Sequence, residues 1–111
     1  MFKFRRTRGP RRLFLKTLAH NLIMNGRIET TITRAKAIRP YVEKLVTLGK
    51  KQQLASLRIL LSRLPKESAN KIYYDIAPKY KERKGGYLRI MRSGSTRKRD
   101  AAVKAIIEFV G

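Results

Sequence analysis

The sequence contains no cysteine, no tryptophan and a single histidine, His20. Without cysteine the chain has no disulfide and no thiolate metal site, and one histidine does not make a zinc site alone. No apolar stretch approaches the roughly 18 residues that a transmembrane helix needs. We therefore predict no metal site and no membrane-spanning helix. Leucine and isoleucine dominate the hydrophobic residues, which indicates an aliphatic core.

Acidic residues are also scarce, and this argues against an enzyme. The seven carboxylates are scattered along the sequence, whereas a two-metal nuclease needs several that converge. His20 has no evident serine or cysteine partner and is interpreted as a surface or RNA-facing histidine. The glycine and lysine spacing of a Walker loop is missing. The sequence thus predicts no catalytic residue, no cofactor and no small-molecule substrate.

Positive charge is present in excess. The 28 lysines and arginines give a net charge of +21, whereas solubility requires only about 2–8 on a small domain. Such an excess repels itself unless a polyanion neutralises it, and nucleic acid is the usual polyanion. An anionic membrane would favour one long basic helix or a polybasic tail, but here the charge occurs in every segment. We predict a nucleic-acid partner and no membrane.

A length of 111 residues with 42% hydrophobic content is enough for a single domain, predicted at 10–111 behind a basic arm at 1–9. An arm that is rich in arginine and free of acids also describes a mitochondrial transit peptide, but this one leads directly into a predicted helix. In chain order, the predicted elements are a helix from Pro10 to about Asn25, a strand at 27–31, helices ending near Gly49, Leu64 and Ala77, a strand at about 87–92 and a last segment at 101–110.

Two of these elements leave alternatives open. Pro40 lies inside the second helix and either kinks it or marks its true first turn. The last segment fits a helix and a strand, but its β-branched residues favour a strand that pairs with 87–92 as an antiparallel hairpin. The order α-β-α-α-α-β-β predicts a two-layer α+β domain. Helical spacing predicts these inward residues: Leu15, Leu18, Leu22 and Ile23, then Ala35, Ile38, Val42, Leu45 and Val46, then Leu54, Leu57, Leu61 and Leu64, and last Ala69, Ile72, Tyr73 and Ile76.

Two basic regions are predicted to contact phosphate. Solubility alone does not account for them, because acids serve solubility better than arginines. The arm and the start of the first helix contribute Lys3, Arg5, Arg6, Arg8, Arg11, Arg12 and Lys16. Two loops and the strand between them contribute Lys79, Lys81, Arg83, Lys84, Arg89, Arg92, Arg97, Lys98 and Arg99.

The strand at 87–92 has two faces with different predicted roles. Alternation points Leu88 and Ile90 toward the helices, and Tyr87, Arg89 and Met91 outward, so the outer face of the sheet is a predicted RNA surface. Before this strand, Gly85 and Gly86 provide a chain reversal at positive φ, a close approach of exposed N–H groups to phosphate, or both. Tyr80 and Tyr87 either stack on nucleotides or cover the sheet edge.

Two longer blocks carry a family resemblance. The stretches "RIETTITRAKAIRPYVEKLVTLGKK" and "IAPKYKERKGGYLRI" strongly resemble the bacterial-type ribosomal protein family seventeen of the large subunit, and the likeness runs from about Arg6 to Val110. The resemblance implies the same element order with a mixed three-stranded sheet, and a strand at the C-terminus. It adds Arg34 and Lys36, in the "RAK" of the first block, to the RNA-binding residues. The arm is several residues shorter than is usual in that family.

Composition and resemblance together predict a structural constituent of the large ribosomal subunit that binds its 23S-type rRNA. A position near the exit of the peptide tunnel follows from the resemblance alone, as do neighbouring large-subunit proteins as partners. The expected location is the ribosome of the cytoplasm, with an organellar ribosome as the other possibility. The alternative is a basic DNA-binding architectural or regulatory protein, in which the second and third helices would mimic a helix-turn-helix. A nuclease is a third, weaker alternative.

Overall fold

The computed structural model describes residues 8–96 and 103–111, with side chains for 13–92 and 103–111. In these ranges the elements are α1 (Arg8–Asn25), β1 (Arg27–Thr31), α2 (Ile32–Lys50), α3 (Leu54–Arg63), α4 (Lys66–Lys71), a π-helical turn (Ile72–Ile76), α5 (Ala77–Lys79), β2 (Leu88–Thr96) and β3 (Val103–Phe109). The predicted two-layer α+β class is confirmed. No helix within the described ranges is apolar enough over a sufficient length to cross a bilayer.

The three strands form one antiparallel sheet in the order β1-β3-β2. The predicted antiparallel hairpin between β2 and β3 is confirmed, and so is the strand at the C-terminus. The mixed sheet that the resemblance implied is wrong. Because β1 and β2 both run antiparallel to the central β3, they run parallel to each other, but β3 separates them and they do not pair.

The register of the sheet separates an inner face from an outer face. Leu88 lies opposite Phe109, and Ile90 lies opposite Ile107. Leu88 is buried and Arg89 is exposed, which confirms the predicted directions of these two residues. Tyr87 was predicted to point outward with Arg89, and this is wrong: it precedes β2 and is buried.

Helix α2 is the central element of the helical layer and packs on all three strands. Its predicted inward residues are all buried, namely Ala35, Ile38, Val42, Leu45 and Val46. The helix begins at a side-chain cap, because Thr31 Oγ1 accepts a hydrogen bond from the Arg34 N–H at 3.4 Å. Pro40 lies well inside α2, so the interpretation of Pro40 as a first-turn residue is wrong.

Helix α1 starts at Arg8, two residues before the predicted start. Pro10 therefore lies in the first turn, where its missing N–H leaves no intrahelical bond unmade. The predicted stop at Gly26 is confirmed. Gly26 has φ +81°, in the left-handed region, and its N–H donates to the Leu22 carbonyl at 2.8 Å.

The predicted inward stripe of α3 is wrong in part. Leu54 is 63% exposed and Leu61 is exposed as well, whereas Leu60 and Leu64 are buried. Leucine or isoleucine occurs on every side of this short helix, so several stripes fit the 3.6-residue period equally well. Only packing selects among them. By contrast, the predicted inward residues of the fourth helix are buried or half-buried in the core.

The fourth predicted helix is one continuous helical segment that widens into a π-turn at Ile72–Ile76. Helix α2 passes close to it at Gly49, which lies buried one residue before the end of α2 at Lys50, close to the predicted end. A Cβ atom on Gly49 would lie 3.0 Å from Ile72 Cγ2 and 3.1 Å from Ala77 Cβ. Glycine therefore permits the close contact that fixes α5 and the following loop against α2.

Candidate nucleic-acid interface

The end of α5 and the loop that follows it carry the densest group of exposed cations in the described side chains. We call residues 79–86 the basic loop. Lys79, Lys81, Arg83 and Lys84 are all exposed. Backbone hydrogen bonds fold the loop tightly: the Tyr80 N–H donates to the Ala77 carbonyl at 3.0 Å, and the Arg83 N–H to the Tyr80 carbonyl at 2.9 Å. The four cations are therefore presented by an ordered turn.

The cations of the basic loop have little to neutralise them within the chain. In the described part of the chain, no carboxylate lies within ion-pairing distance of Lys79, Lys81, Arg83 or Lys84. The Arg83 Nε donates to the Gly85 carbonyl at 3.3 Å, which leaves the positive charge uncompensated. Such a concentration of unpaired charge on a turn is typical of a phosphate-contacting surface.

Two buried tyrosines hold the basic loop against the domain. Tyr80 is 7% exposed and its hydroxyl donates to the Val110 carbonyl at 2.5 Å. Tyr87 is 1% exposed, and its ring lies 5.1 Å from the Tyr80 ring. The Lys50 Nζ donates to the Tyr87 hydroxyl at 2.9 Å and also to the Arg83 carbonyl. Neither tyrosine ring is open to stack on a nucleotide, because both rings are buried in the hydrophobic core.

Burial also changes the acidity of Tyr80. Its removal from water raises the pKa of the phenol above 10.0, and the positive charge of Arg83 offsets part of this effect. The neutral phenol is the form that donates to the Val110 carbonyl. Tyr80 is therefore an uncharged anchor between Lys79 and Lys81 over the physiological pH range.

The two glycines of the basic loop have positive φ, +157° at Gly85 and +63° at Gly86. A Cβ on either residue would meet nothing within 4 Å. The requirement for glycine at residue 86 is therefore conformational, which supports the predicted chain reversal. The predicted approach to phosphate stays a prediction. Next to the glycines lies an open groove of about 360 Å³, lined from α2 by Pro40, Glu43, Lys44 and Thr47.

A second group of cations lies at the other end of α2. Arg34 stacks its guanidinium over the Phe14 ring, 5.2 Å from the centroid, and Lys36 is exposed. Arg34 and Lys50 are about 16 residues apart on α2, which is about 24 Å at about 1.5 Å per residue. The basic loop extends from Lys50 back along α2 as far as the groove beside Lys44 and Pro40, so its nearer end lies closer to Arg34 than this. An elongated polyanion is long enough to reach both groups. Lys16 is placed elsewhere: it lines a cavity of about 620 Å³ with Leu13, Tyr41 and Arg63.

The strand residues predicted to bind RNA have different surroundings. Arg89 is bound to Glu108, with Nη2 and Nε both 2.7 Å from Oε1. Arg92 is exposed, but it lies opposite Ala105 and so belongs to the register of the inner face rather than that of Arg89. The structure does not bring these two arginines together on one surface.

The remaining predicted RNA-binding residues lie outside the described side chains. These are Lys3, Arg5, Arg6, Arg8, Arg11, Arg12, Arg97, Lys98 and Arg99.

Sequence reasoning also missed a cation. Lys44 is exposed on α2 and lines the groove beside Gly85 and Gly86. Its position on the polar face of a helix gives no signal of its own, because most such lysines simply face solvent.

The alternative functions find little support in the geometry. A three-residue turn joins α2 to α3, as in a helix-turn-helix. Arg58 and Arg63 are exposed on α3, but three apolar residues, Leu54, Ile59 and Leu61, are exposed on it as well and offer no hydrogen bonds to base edges. Within the described ranges, no three histidine, cysteine or acidic side chains lie close enough together to hold a metal ion.

Comparison with known proteins identifies the family. Residues 14–110 match the family described as ribosomal protein L17. The chain belongs to the ribosomal protein L17 family. The matched range contains the basic loop, Arg34 and Lys36, and the whole sheet, and it begins after the predicted arm at 1–9.

Relatives named large ribosomal subunit protein bL17 are similar over nearly the full chain. The one from Acidobacterium capsulatum is 48% identical over 99% of this chain and 69% of its own length. Those from Persephonella marina and Bdellovibrio bacteriovorus are each 49% identical over 96% of this chain. This chain spans 88% of the Persephonella protein and 59% of the Bdellovibrio protein, so L17 family members differ in length around a shared domain.

Proposed function

We propose that this chain is a structural, non-enzymatic constituent of the large ribosomal subunit that binds its 23S-type rRNA. Membership of the ribosomal protein L17 family supports this role and a location on the ribosome. The proposed mechanism is neutralisation of phosphates on folded RNA, which fixes RNA segments relative to one another with little reading of base sequence.

The observation that carries the proposal is the unpaired charge of the basic loop on a chain of net charge +21. Tyr80, Tyr87 and Lys50 anchor this loop to the domain, so its cations reach the RNA from a fixed turn. Lys36 and Arg34, near the N-terminal end of α2, provide a second contact. Two separated contacts fix the orientation of the protein on the RNA as well as its position.

The salt dependence of binding to purified large-subunit rRNA tests this mechanism. If the protein neutralises roughly 6–10 phosphates, its affinity falls by about 10³–10⁵ between 50 and 200 mM salt. Co-sedimentation with large subunits is the matching assay on the assembled particle. A nearly flat salt response contradicts the phosphate mechanism. Stronger binding to one duplex DNA sequence than to rRNA at high salt would favour the DNA-binding alternative.

Finer details of placement rest on the family resemblance. We propose a position near the exit of the peptide tunnel and contacts with neighbouring large-subunit proteins. The segments 1–7 and 97–102 carry further predicted phosphate contacts, through Lys3, Arg5, Arg6, Arg97, Lys98 and Arg99. Deleting residues 1–7 should weaken association with rRNA while leaving the melting temperature of the domain unchanged, because the described core lies entirely within later residues.

A further inference from the structure

The outer face of the sheet differs from the basic loop because each of its cations is paired with a carboxylate. The register places these side chains on it: Arg27, Glu29, Thr31, Arg89, Met91, Lys104, Ile106 and Glu108. Glu108 lies between Arg27 and Arg89, at 4.0 Å and 2.7 Å. The Lys104 Nζ is 3.9 Å from Glu29 Oε1. Every cation on this face therefore has a carboxylate beside it, on a chain that has few carboxylates.

This arrangement is poorly suited to RNA. A phosphate that approaches Arg89 would also approach Glu108, and charges this close are not screened at physiological salt, where the Debye length is about 8 Å. Glu108 is only 14% exposed and is shared by two arginines. A phosphate that drew both arginines away would therefore leave the Glu108 carboxylate with no cation beside it. A polyanion gains less here than at the basic loop, where the one acid, Glu82, makes no ion pair with the described cations.

The centre of the outer face is apolar. Met91 lies directly opposite Ile106 in the β2–β3 register, and Met91 is 38% exposed. The ion pairs of Glu108 and Glu29 lie to either side of this pair. An apolar centre with charged groups of both signs at its rim is the usual composition of a protein–protein contact. Methionine adapts its shape easily to a partner surface.

The size of the face limits what can occupy it. A three-stranded sheet about five residues long presents on the order of 250 Å², from strand spacings of about 4.8 Å and a rise of about 3.4 Å per residue. A stable pair of proteins in solution buries about 800 Å² on each partner, so a dimer of this chain through this face is not expected. The contact suits a partner that a common RNA already holds in place.

We propose that the outer face of the sheet is a docking surface for a neighbouring protein of the large subunit. The partner surface has an apolar centre that covers Met91 and Ile106, with charges of both signs around it. This proposal rests on the proposed function, since it assumes assembly into the subunit. It also replaces the predicted RNA contact of Arg89 with a structural role on a protein-facing surface.

Site-specific crosslinking in assembled large subunits tests the proposal. The chain has no cysteine, so Met91→Cys and Lys81→Cys each accept one benzophenone-maleimide probe. We expect the probe at residue 91 to give a ribonuclease-resistant adduct with one large-subunit protein, identified by mass spectrometry. The matched probe at residue 81, in the basic loop, should give an adduct with rRNA. A probe introduced by Glu29→Cys, on the same face as Met91, should reach the same protein.

The outcomes separate the two proposals. Crosslinking of the residue-91 and residue-29 probes to rRNA, or to nothing while the residue-81 probe reacts, would overturn the docking surface and leave the proposed function intact. If the unlabelled chain does not co-sediment with large subunits, the proposed function itself is wrong, and the docking surface with it. Far-UV circular dichroism of each labelled variant verifies that the probe leaves the fold unchanged.

Discussion

The basic loop and the outer face of the sheet carry cations in two different states. In the loop, Lys79, Lys81 and Lys84 make no ion pair in the described part of the chain, whereas on the sheet Arg27, Arg89 and Lys104 are all paired. The same residue types therefore serve different purposes within one small domain. Net charge identifies the class of partner, but only the local pairing of each cation indicates which surface meets the polyanion.

The cause of the difference is where the acids lie. The antiparallel register brings Glu108 beside Arg27 and Arg89, and Glu29 beside Lys104, although these residues are far apart in the sequence. The loop contains one acid, Glu82, which is exposed and makes no ion pair with the described cations. Since a phosphate contact needs a cation without a competitor, the loop is the better RNA contact.

Removing the loop cations should have the largest effect on binding. With Lys79→Gln, Lys81→Gln and Lys84→Gln combined, three phosphate contacts are lost. Each contact contributes about −0.9 to the slope of log affinity against log salt, so the slope should fall by about 2.7, and affinity at 0.1 M salt by roughly 500-fold. Filter binding to purified rRNA over a range of salt concentrations measures both quantities.

A triple variant of the sheet is the matched control. Arg27→Gln, Arg89→Gln and Lys104→Gln lower the net charge by the same three units. Because these cations are already paired within the chain, the salt slope should change by less than about one. Equal losses for the two triple variants would show that only net charge matters, and the distinction between the two surfaces would be lost.

The two faces of β2 can be compared through adjacent residues. Leu88 is buried against the helices, so Leu88→Ala should lower the free energy of unfolding by about 2–3 kcal/mol, at the lower end of the range for such truncations because Leu88 begins its strand. Arg89→Ala removes an exposed ion pair and should cost no more than about 1 kcal/mol. Urea unfolding of both variants decides this. A larger loss for Arg89→Ala would mean that the Glu108 pair is a main support of the sheet.

Sequence reasoning succeeded where the spacing of apolar residues was compatible with only one buried face of a helix or strand. The stripe from Ala35 to Val46 had a single apolar side, and all its members are buried. Alternation in β2 likewise separated Leu88 from Arg89. It failed for α3, where leucines surround the helix and packing had to choose Leu60 over Leu61.

Sequence reasoning predicted the site least well where hydrogen bonds and ion pairs join residues that are far apart in the sequence. Tyr80 and Tyr87 are buried because Val110 and Lys50 provide their hydrogen-bond partners, 30 and 37 residues away in the chain. The pairing of Arg89 with Glu108 follows from a sheet register that spans 19 residues. In each case the local pattern was compatible with an RNA contact, and the long-range partner changed the interpretation.

The anchor of the basic loop gives a smaller effect. Tyr80→Phe keeps the ring but removes the hydroxyl that donates to the Val110 carbonyl, so stability at neutral pH should fall by about 1 kcal/mol. Binding should keep its salt slope, because no cation is lost. A slope that falls by one or more would indicate that the anchor orders the loop cations themselves.

The pH dependence of this variant has a definite sign. The folded pKa of Tyr80 is raised above 10.0 by burial, with a partial offset from Arg83. The contribution of the neutral phenol is therefore fully present below pH 10.0 and is lost as the pH rises from there through the folded pKa. The stability difference between the native protein and Tyr80→Phe should shrink at high pH. Urea unfolding at pH 7 and above pH 10 measures it, and an unchanged difference would contradict the raised pKa.

The smallest expected effect comes from Glu108→Gln, which releases Arg27 and Arg89 on the outer face without altering its shape. The lost ion pairs are exposed on the cationic side, so stability should fall by less than about 1 kcal/mol. Affinity for purified rRNA should change by less than about twofold if this face meets protein. If the face meets RNA instead, removing a carboxylate and freeing two arginines should raise the affinity and steepen the salt slope by one or two units. Filter binding at two salt concentrations distinguishes these results, and a steeper slope would return Arg89 to the RNA interface.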